Sequence, residues 1–144
     1  MHGIILFTLS LIIMHVESFS YVKEAGNTKC GSVSNRKPIL DKAACEAAAT
    51  SMGLDDVVAY ETSSSYYPPG CSFQFQSLVY NTLSTSTKSC TWNSFFCLCV
   101  TAPICTHTNR ATSNTDACFC GETGLCTTVS GLYCYASNSQ CSLV

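Results

Sequence analysis

Cysteine constrains this chain most, because twelve of its 144 residues are cysteines. They fall into two sets of six, one on each side of a short break at residues 101–103. The sets are Cys30, Cys45, Cys71, Cys90, Cys97 and Cys99, and Cys105, Cys118, Cys120, Cys126, Cys134 and Cys141. Because each set is even, each can pair internally, although sequence alone leaves several pairings open. We expect two modules, residues 21–100 and 104–144, and in the second the disulfides must largely replace a hydrophobic core.

The N-terminus carries a hydrophobic segment at residues 4–14, IILFTLSLIIM. It is too short for a transmembrane helix, which needs about 20 apolar residues, and it fits the apolar core of a secretory signal. We expect a signal peptide at residues 1–18, with Ser18 and Ser20 as alternative cleavage points; the other interpretation is a buried strand or helix. Secretion, with or without attachment to the cell surface, also suits the cysteines, because oxidising compartments preserve disulfides. No stable membrane insertion is expected.

The apolar content and the net charge of the chain exclude some functions. The hydrophobic fraction of 47% includes both the N-terminal segment and the cysteines, so few ordinary apolar residues remain for a core. The net charge is −2 and no basic cluster occurs. Nucleic acid is therefore not an expected partner, since binding to phosphates needs clustered Lys and Arg.

The first module reads as a helix on a small antiparallel sheet. Residues 42–52 (KAACEAAATSM) follow a good N-cap, Asp41, and precede Gly53, which suits a helix C-terminus. We expect strands at residues 57–61, 72–76, 78–81 and 95–100, with Phe73 and Phe75 on the buried face. The predicted fold is a small disulfide-rich α+β protein, followed by a loop-rich module held by disulfides.

One disulfide can be proposed from these elements. The helix places Cys45 on a stripe of small side chains that faces the sheet. Pro69 and Gly70 suit the central positions of a type II turn, which would lead Cys71 into the next strand. We therefore predict a bond between Cys45 and Cys71.

Longer motifs resemble a known group of proteins. The stretches YYPPGC, LVYN and CLC, followed by CFCG and GLYCYAS, resemble cysteine-rich modules of secreted and surface proteins of unicellular algae. That resemblance implies an extracellular location and disulfides, and no activity. The helix with its cysteine also distantly resembles PAN/apple adhesive domains, whose usual second helix cysteine is missing here.

Metal binding and catalysis are not expected, and no cofactor is implied. Cys97 and Cys99, like Cys118 and Cys120, have C-x-C spacing, whereas zinc sites favour C-x2-C. In a strand such pairs share one face, about 7 Å apart, so we expect each member to bond a different cysteine. His107 lies in a polar loop and an even cysteine count leaves no spare nucleophile, so we expect no enzyme.

Binding is the more plausible activity. Tyr66 and Tyr67 precede two prolines, which predicts a stiff, extended loop that presents flat rings to a sugar or a protein. The alternative is that these rings, with Trp92 and Phe95, cover a small core. We expect a non-catalytic structural or adhesive protein that binds a glycan or a matrix or surface protein. The competing class is a secreted effector, toxin-like protein or inhibitor with a specific target.

Overall fold

A computed structural model describes residues 19–25, 28–32, 35–90, 96–122 and 124–143. The expected signal segment at residues 1–18 lies outside the described residues, as do Trp92 and Phe95. The described elements are β1 (Ser20–Glu24), β2 (Arg36–Pro38), α1 (Lys42–Ser51), β3 (Tyr60–Thr62), β4 (Gly70–Gln74), β5 (Ser77–Asn81), β6 (Phe96–Thr101), β7 (Cys118–Cys120), β8 (Gly124–Cys126), β9 (Tyr133–Tyr135) and β10 (Gln140–Ser142). They form the predicted disulfide-rich α+β fold. We call residues 19–102 the sheet region and residues 103–143 the tail.

The helix begins and ends at capped positions. The Asp41 carboxylate accepts a hydrogen bond from the N–H of Ala44 at 2.8 Å, as an N-cap does. At the other end Gly53 adopts a φ of 63°, and the N–H of Leu54 donates to the carbonyl of Ala49. This is the Schellman arrangement, in which a left-handed residue closes the last turn. The predicted caps are therefore confirmed.

The small face of α1 lies against the sheet. Cys45, Ala48 and Ala49 are fully buried there. Because none of these side chains is large, the helix can approach the strands closely enough for a disulfide. The predicted bond between Cys45 and Cys71 is present, with 5.4 Å between the Cα atoms.

The sheet of the sheet region has six strands. Its main path runs β1–β6–β4–β5–β3, and every pair on it is antiparallel except β3 with β5. β1 pairs along β6 from Cys97 to Thr101, so β4 and β2 divide the opposite edge of β6 between them. The sequence did not predict β1 or β2, which are short and half exposed at several positions.

Both faces of the sheet are covered, by different groups. The face toward α1 carries aliphatic and aromatic side chains, among them Phe73, Leu78 and Leu98. The opposite face carries Cys97 and Cys99, whose disulfide partners lie over it. Strand β4 is consequently buried on both sides, including Ser72, which the alternating pattern predicts to be exposed.

The prediction for Phe75 is wrong. β4 ends at Gln74, which pairs with Ser77, so Phe75 and Gln76 form the two-residue turn to β5. Both have positive φ, 45° and 67°, as a type I′ turn requires. Phe75 is thus 78% exposed rather than on the buried face. The usual Asn-Gly signal of such a turn is missing, so the sequence reads as a longer strand.

The start of β3 also differs from the prediction. The strand begins at Tyr60, three residues later than expected. The Asp56 carboxylate accepts hydrogen bonds from the N–H groups of Val58 and Leu78, at 3.1 and 3.0 Å. It thereby takes the place that a backbone carbonyl would fill if the strand continued. The other predicted strand ends that lie in the described residues agree to within two residues.

All twelve cysteines are paired. The bonds are Cys30–Cys99, Cys45–Cys71, Cys90–Cys97, Cys105–Cys118, Cys120–Cys134 and Cys126–Cys141. Each joins two members of the same set of six. In both C-x-C pairs the two cysteines bond different partners, as the strand geometry predicts.

The tail has a core of its own made of cysteines. One tail side chain, that of Phe119, is buried in the other core, beneath α1. The buried members of the cysteine core are Cys105, Cys118, Cys120, Cys126 and Cys134. Phe119, on β7, instead belongs to the core beneath α1 and is 1% exposed. Its N–H donates to the carbonyl of Pro103 at 2.7 Å. The bond to Pro103 lies within the tail, so it is the buried Phe119 ring that anchors the tail to the sheet region.

Candidate functional site

The loop between β3 and β4, residues 63–69, is organised by one buried amide. Asn81, at the end of β5, is 2% exposed. Its Nδ2 group donates to the carbonyls of Ser64, Tyr67 and Pro68 at 2.8, 2.9 and 3.2 Å. Its Oδ1 accepts from the N–H of Ser64 at 3.0 Å. The hydroxyl of Ser86 also donates to the carbonyl of Tyr67, at 2.6 Å. We call residues 63–69 the aromatic loop.

The two tyrosines of the aromatic loop differ. Tyr66 is 69% exposed, whereas Tyr67 is half-buried and Pro68 is fully buried. The carbonyl bonds and the buried proline hold the backbone on both sides of the Tyr66 ring. The structure thus places one of the two predicted residues, Tyr66, on the open surface, and Tyr67 against the protein.

The end of the aromatic loop requires glycine. Gly70 has the positive φ, 79°, that the predicted turn requires, but it is already the first residue of β4, and the chain only bends at Pro69. A Cβ atom at Gly70 would lie 2.7 Å from the carbonyl oxygen of Ile39. The tight approach brings Cys71 directly into β4, where it meets Cys45.

Two other tyrosines lie on strands of the sheet. Tyr80, on β5, packs partly against the core and donates from its hydroxyl to the carbonyl of Leu40 at 2.5 Å. Burial and the negative charges of Asp41 and Glu61 raise the pKa of Tyr80. Tyr60, on β3, is 65% exposed. The rings therefore divide between the core and the surface.

The tail also contains a buried asparagine, Asn114, whose amide binds backbone groups of a loop. Asn114 is 5% exposed; its Oδ1 accepts from the N–H of His107, and its Nδ2 donates to the carbonyls of His107 and Leu132, all at 2.9–3.0 Å. These contacts use the backbone of His107, whose side chain is exposed. Neither Asn81 nor Asn114 was identified from the sequence, because an asparagine in a polar stretch looks like an ordinary loop residue.

Several cysteine sulfurs lie close enough to share a metal ion. The groups are Cys30, Cys90 and Cys97; Cys105, Cys126 and Cys134; and Cys120, Cys126 and Cys141, with sulfurs within 4.8 Å of one another. Each of these sulfurs belongs to a disulfide. A metal would need thiolates, so these groups are packed disulfides in the oxidised protein.

A small apolar cleft of about 220 Å³ lies where the sheet region meets the tail. Val100, Phe119 and Leu125 line it, and Lys37 and Asp41 stand at its polar side. Cavities that enclose drug-sized ligands occupy about 300–1,000 Å³. This cleft can therefore hold only a single side chain or a very small apolar molecule. Sequence reasoning missed it, because its residues come from six separate elements and the loop before α1.

Charged groups take part in the packing of the first strands. Glu24 is buried and pairs with Arg36, and the hydroxyl of Thr28 donates to its carboxylate at 2.8 Å. The Thr28 hydrogen bond, together with Arg36, holds the pKa of Glu24 below its ordinary value. For Asp56, the bonds from the N–H groups of Leu78 and Val58 lower the pKa in the same way.

Comparison of the chain with known protein families, with characterised proteins and with solved structures finds no match. The described residues contain no helix with the length and hydrophobicity needed to span a lipid bilayer.

Proposed function

We propose that this is a secreted, non-catalytic extracellular protein with a structural or adhesive role, which binds a glycan or a matrix or surface protein. The resemblance to algal surface modules belongs to the same proposal. Six disulfides in one short chain support an oxidising location, where such bonds form and persist.

The observation that carries this proposal is the exposed Tyr66 ring on a fixed loop. Asn81 and Ser86 both donate hydrogen bonds to the Tyr67 carbonyl and so fix the loop backbone. Binding of a ligand to Tyr66 therefore costs little backbone entropy. A rigid aromatic side chain gives a large contact area at a low cost in conformational entropy. Its flat face suits stacking on a sugar ring or on an apolar protein surface.

The packing of Phe19 bears on the N-terminus of the secreted form. Phe19 packs against the core and makes an edge contact with Tyr21, with ring centroids 5.7 Å apart. Cleavage after Ser20 would remove this side chain, whereas cleavage after Ser18 keeps it. We therefore propose Phe19 as the first residue of the mature protein, which N-terminal sequencing of the secreted chain tests directly.

The proposal assigns no catalytic role to the cysteines or to His107. All thiols are consumed in disulfides, and the backbone of His107, not its ring, makes the contacts with Asn114. Nucleophilic catalysis needs a positioned base beside a nucleophile, with a third group that orients the base.

The test is a binding screen on glycan and extracellular-protein arrays with purified mature protein. We expect Tyr66→Ala to lower the affinity for the ligand identified with the wild-type protein by at least about tenfold, as loss of a central aromatic contact does. Tyr66→Phe should retain most of the binding, because the ring remains.

The matched control is Tyr135→Ala, which removes another exposed tyrosine, in the tail. It should bind like the wild type. Equal binding by folded Tyr66→Ala, or no ligand for the wild type on either array, would contradict the proposal.

A second candidate, a secreted effector or inhibitor, is favoured by the turn at Phe75. That ring is exposed at the tip of a hairpin whose backbone has positive φ, so it can enter a pocket of a target protein. The two candidates differ in valency. A matrix protein should self-associate in sedimentation experiments at increasing concentration, whereas an effector should remain a monomer and lose its target binding in Phe75→Ala.

A further inference from the structure

Strand β3 forms one end of the sheet, and its outer side is open. The N–H of Thr82 donates to the carbonyl of Thr62 at 2.8 Å, so the backbone of Thr62 faces β5. Because neighbouring residues of a strand direct their N–H and C=O groups to opposite sides, Tyr60 also faces β5 and Glu61 faces outward. Within the described part of the chain, no further strand lies beyond β3.

The open edge has a defined beginning. The N–H of Ala59 also faces outward, and the Glu46 carboxylate from α1 accepts its hydrogen bond at 3.1 Å. What remains for a partner is the N–H and the carbonyl of Glu61, because Ala59 is itself buried. An extended peptide that pairs with this edge would gain main-chain hydrogen bonds there, as in β-strand addition.

Two exposed apolar side chains lie at the beginning of this edge. Val58 is 71% exposed and Tyr60 is 65% exposed. The Asp56 carboxylate ties the backbone of Val58 to that of Leu78, close after the turn that presents Phe75. A strand added at β3 would cover part of this surface, and alternate apolar side chains of the partner would contact it.

The charge around the edge selects the partner. Asp55 and Glu61 are exposed, and neither makes a salt bridge within the described ranges. Glu46 and Asp56 add two further carboxylates that already bind backbone N–H groups. A second copy paired antiparallel about Glu61 would set this carboxylate against its equivalent, which is unfavourable for directly opposed residues. A cationic strand would meet opposite charge instead.

We propose that the β3 edge binds an extended segment of another protein in which Lys or Arg alternates with apolar residues. This inference goes beyond the proposed function, because it involves a different surface from the aromatic loop and does not depend on Tyr66.

The test uses a capped peptide of alternating lysine and valine, six residues long, added to the full mature protein. Binding is measured by calorimetry, and hydrogen exchange of single amides is followed by NMR. We expect exchange at the Glu61 amide to slow by at least about tenfold at saturation, because this outward N–H gains a partner. The amides of Tyr60 and Thr62, which already face β5, should change little.

Two control peptides separate strand addition from simple charge attraction. The same peptide with N-methyl groups on alternate amides keeps its charge but loses donors, and we expect it to bind at least about tenfold more weakly. A peptide of alternating glutamate and valine should not bind. Equal binding of the N-methylated and unmodified peptides, or no binding of the lysine peptide, would overturn the proposal.

Variants of the protein complete the test. Glu61→Lys should weaken binding of the lysine peptide by about fivefold, the scale of an exposed charge pair. Asp116→Lys makes the same charge change at an exposed site in the tail and should have no such effect. Tyr66→Ala should bind the peptide like the wild type, so failure of the aromatic-loop proposal is distinguishable from failure of this one. An unchanged affinity in Glu61→Lys would contradict the assignment of the β3 edge.

Discussion

In the sheet region, leucine, valine and phenylalanine side chains pack against a helix face of small residues, whereas the buried members of the tail's own core are all cysteines. The sheet region holds three disulfides as well, but two of them cover the face opposite α1 and the third, Cys45–Cys71, is part of an apolar core. In the tail the disulfides themselves exclude water. The comparison teaches that the same number of cysteines can supplement a core in one part of a chain and replace it in a shorter part.

The two regions share a second device. Each contains a buried asparagine whose amide satisfies several backbone groups of a loop, Asn81 in the sheet region and Asn114 in the tail. A buried amide can offer two donors and an acceptor at fixed angles, which an apolar side chain cannot do. In both regions the shape of a loop therefore depends on hydrogen bonds from a buried asparagine. The regions differ in their cores, which consist of apolar side chains in the sheet region and of cysteines in the tail.

The largest effect is expected where the two regions meet. Phe119→Ala should lower the free energy of unfolding by about 4 kcal/mol, because it empties a fully buried site beneath α1 and releases the tail. Phe75→Ala, at an exposed phenylalanine, should change it by less than about 0.5 kcal/mol. Chemical denaturation measures both. A small effect for Phe119→Ala would mean that the tail is not anchored through this ring.

The next largest effect concerns the buried asparagines. Asn81→Ala should cost about 3 kcal/mol, because it leaves several loop carbonyls and N–H groups without partners, and Asn114→Ala should cost about 2 kcal/mol for its smaller network. Asn138→Ala, at an exposed asparagine, serves as the control. Thermal and chemical unfolding measure the change in the free energy of unfolding. Equal stability of all three variants would contradict the role given to the two buried asparagines.

A smaller effect is expected at the helix cap. Asp41→Ala should destabilise the sheet region by about 1 kcal/mol through loss of the bond to the N–H of Ala44. Asp41→Ser should restore most of it, since serine also caps helices. Asp55→Ala, at an exposed aspartate, is the control, and unfolding monitored by circular dichroism distinguishes the three.

The smallest effect is a dependence on pH in the acid range. The pKa of Glu24 in the folded protein lies below its ordinary value of 4.5, chiefly because of the Thr28 hydroxyl and Arg36. The carboxylate therefore stabilises the fold above pH 4.5, and this contribution disappears as the pH falls through the lower, folded pKa. The difference in unfolding free energy between the wild type and Glu24→Gln should shrink on acidification. A constant difference across that range would refute the assignment.

Much of the fold could be predicted from the sequence, because its signals are local. The caps of α1, the positive φ of Gly70 and the strand character of β5 and β6 each depend on a few adjacent residues. Phe75 could not be placed correctly, because pairing with the neighbouring strand, not its own preference, puts it in the turn. The disulfides of the tail could not be assigned either, since sequence spacing does not reveal which sulfurs meet in space.

The candidate site was predictable only in part. A tyrosine pair before two prolines predicts an extended loop, whereas the chain forms a turn at Ser65 and Tyr66. Only the exposure of Tyr66 agrees with the prediction. That Tyr67 turns toward the protein depends on Asn81, which lies 14 residues further along the chain. The open edge of β3 likewise depends on the strand order, which only the folded sheet defines.

The most direct test of the contrast between the regions is amide hydrogen exchange in two double variants, Cys45→Ala/Cys71→Ala and Cys120→Ala/Cys134→Ala. Loop entropy alone predicts similar losses, about 3.5 and 3 kcal/mol for separations of 26 and 14 residues. We predict that the first variant keeps protected amides in β4–β6, whereas the second loses protection throughout the tail and keeps it in the sheet. Retained protection in the tail of the second variant, or collapse of the sheet in the first, would contradict the account.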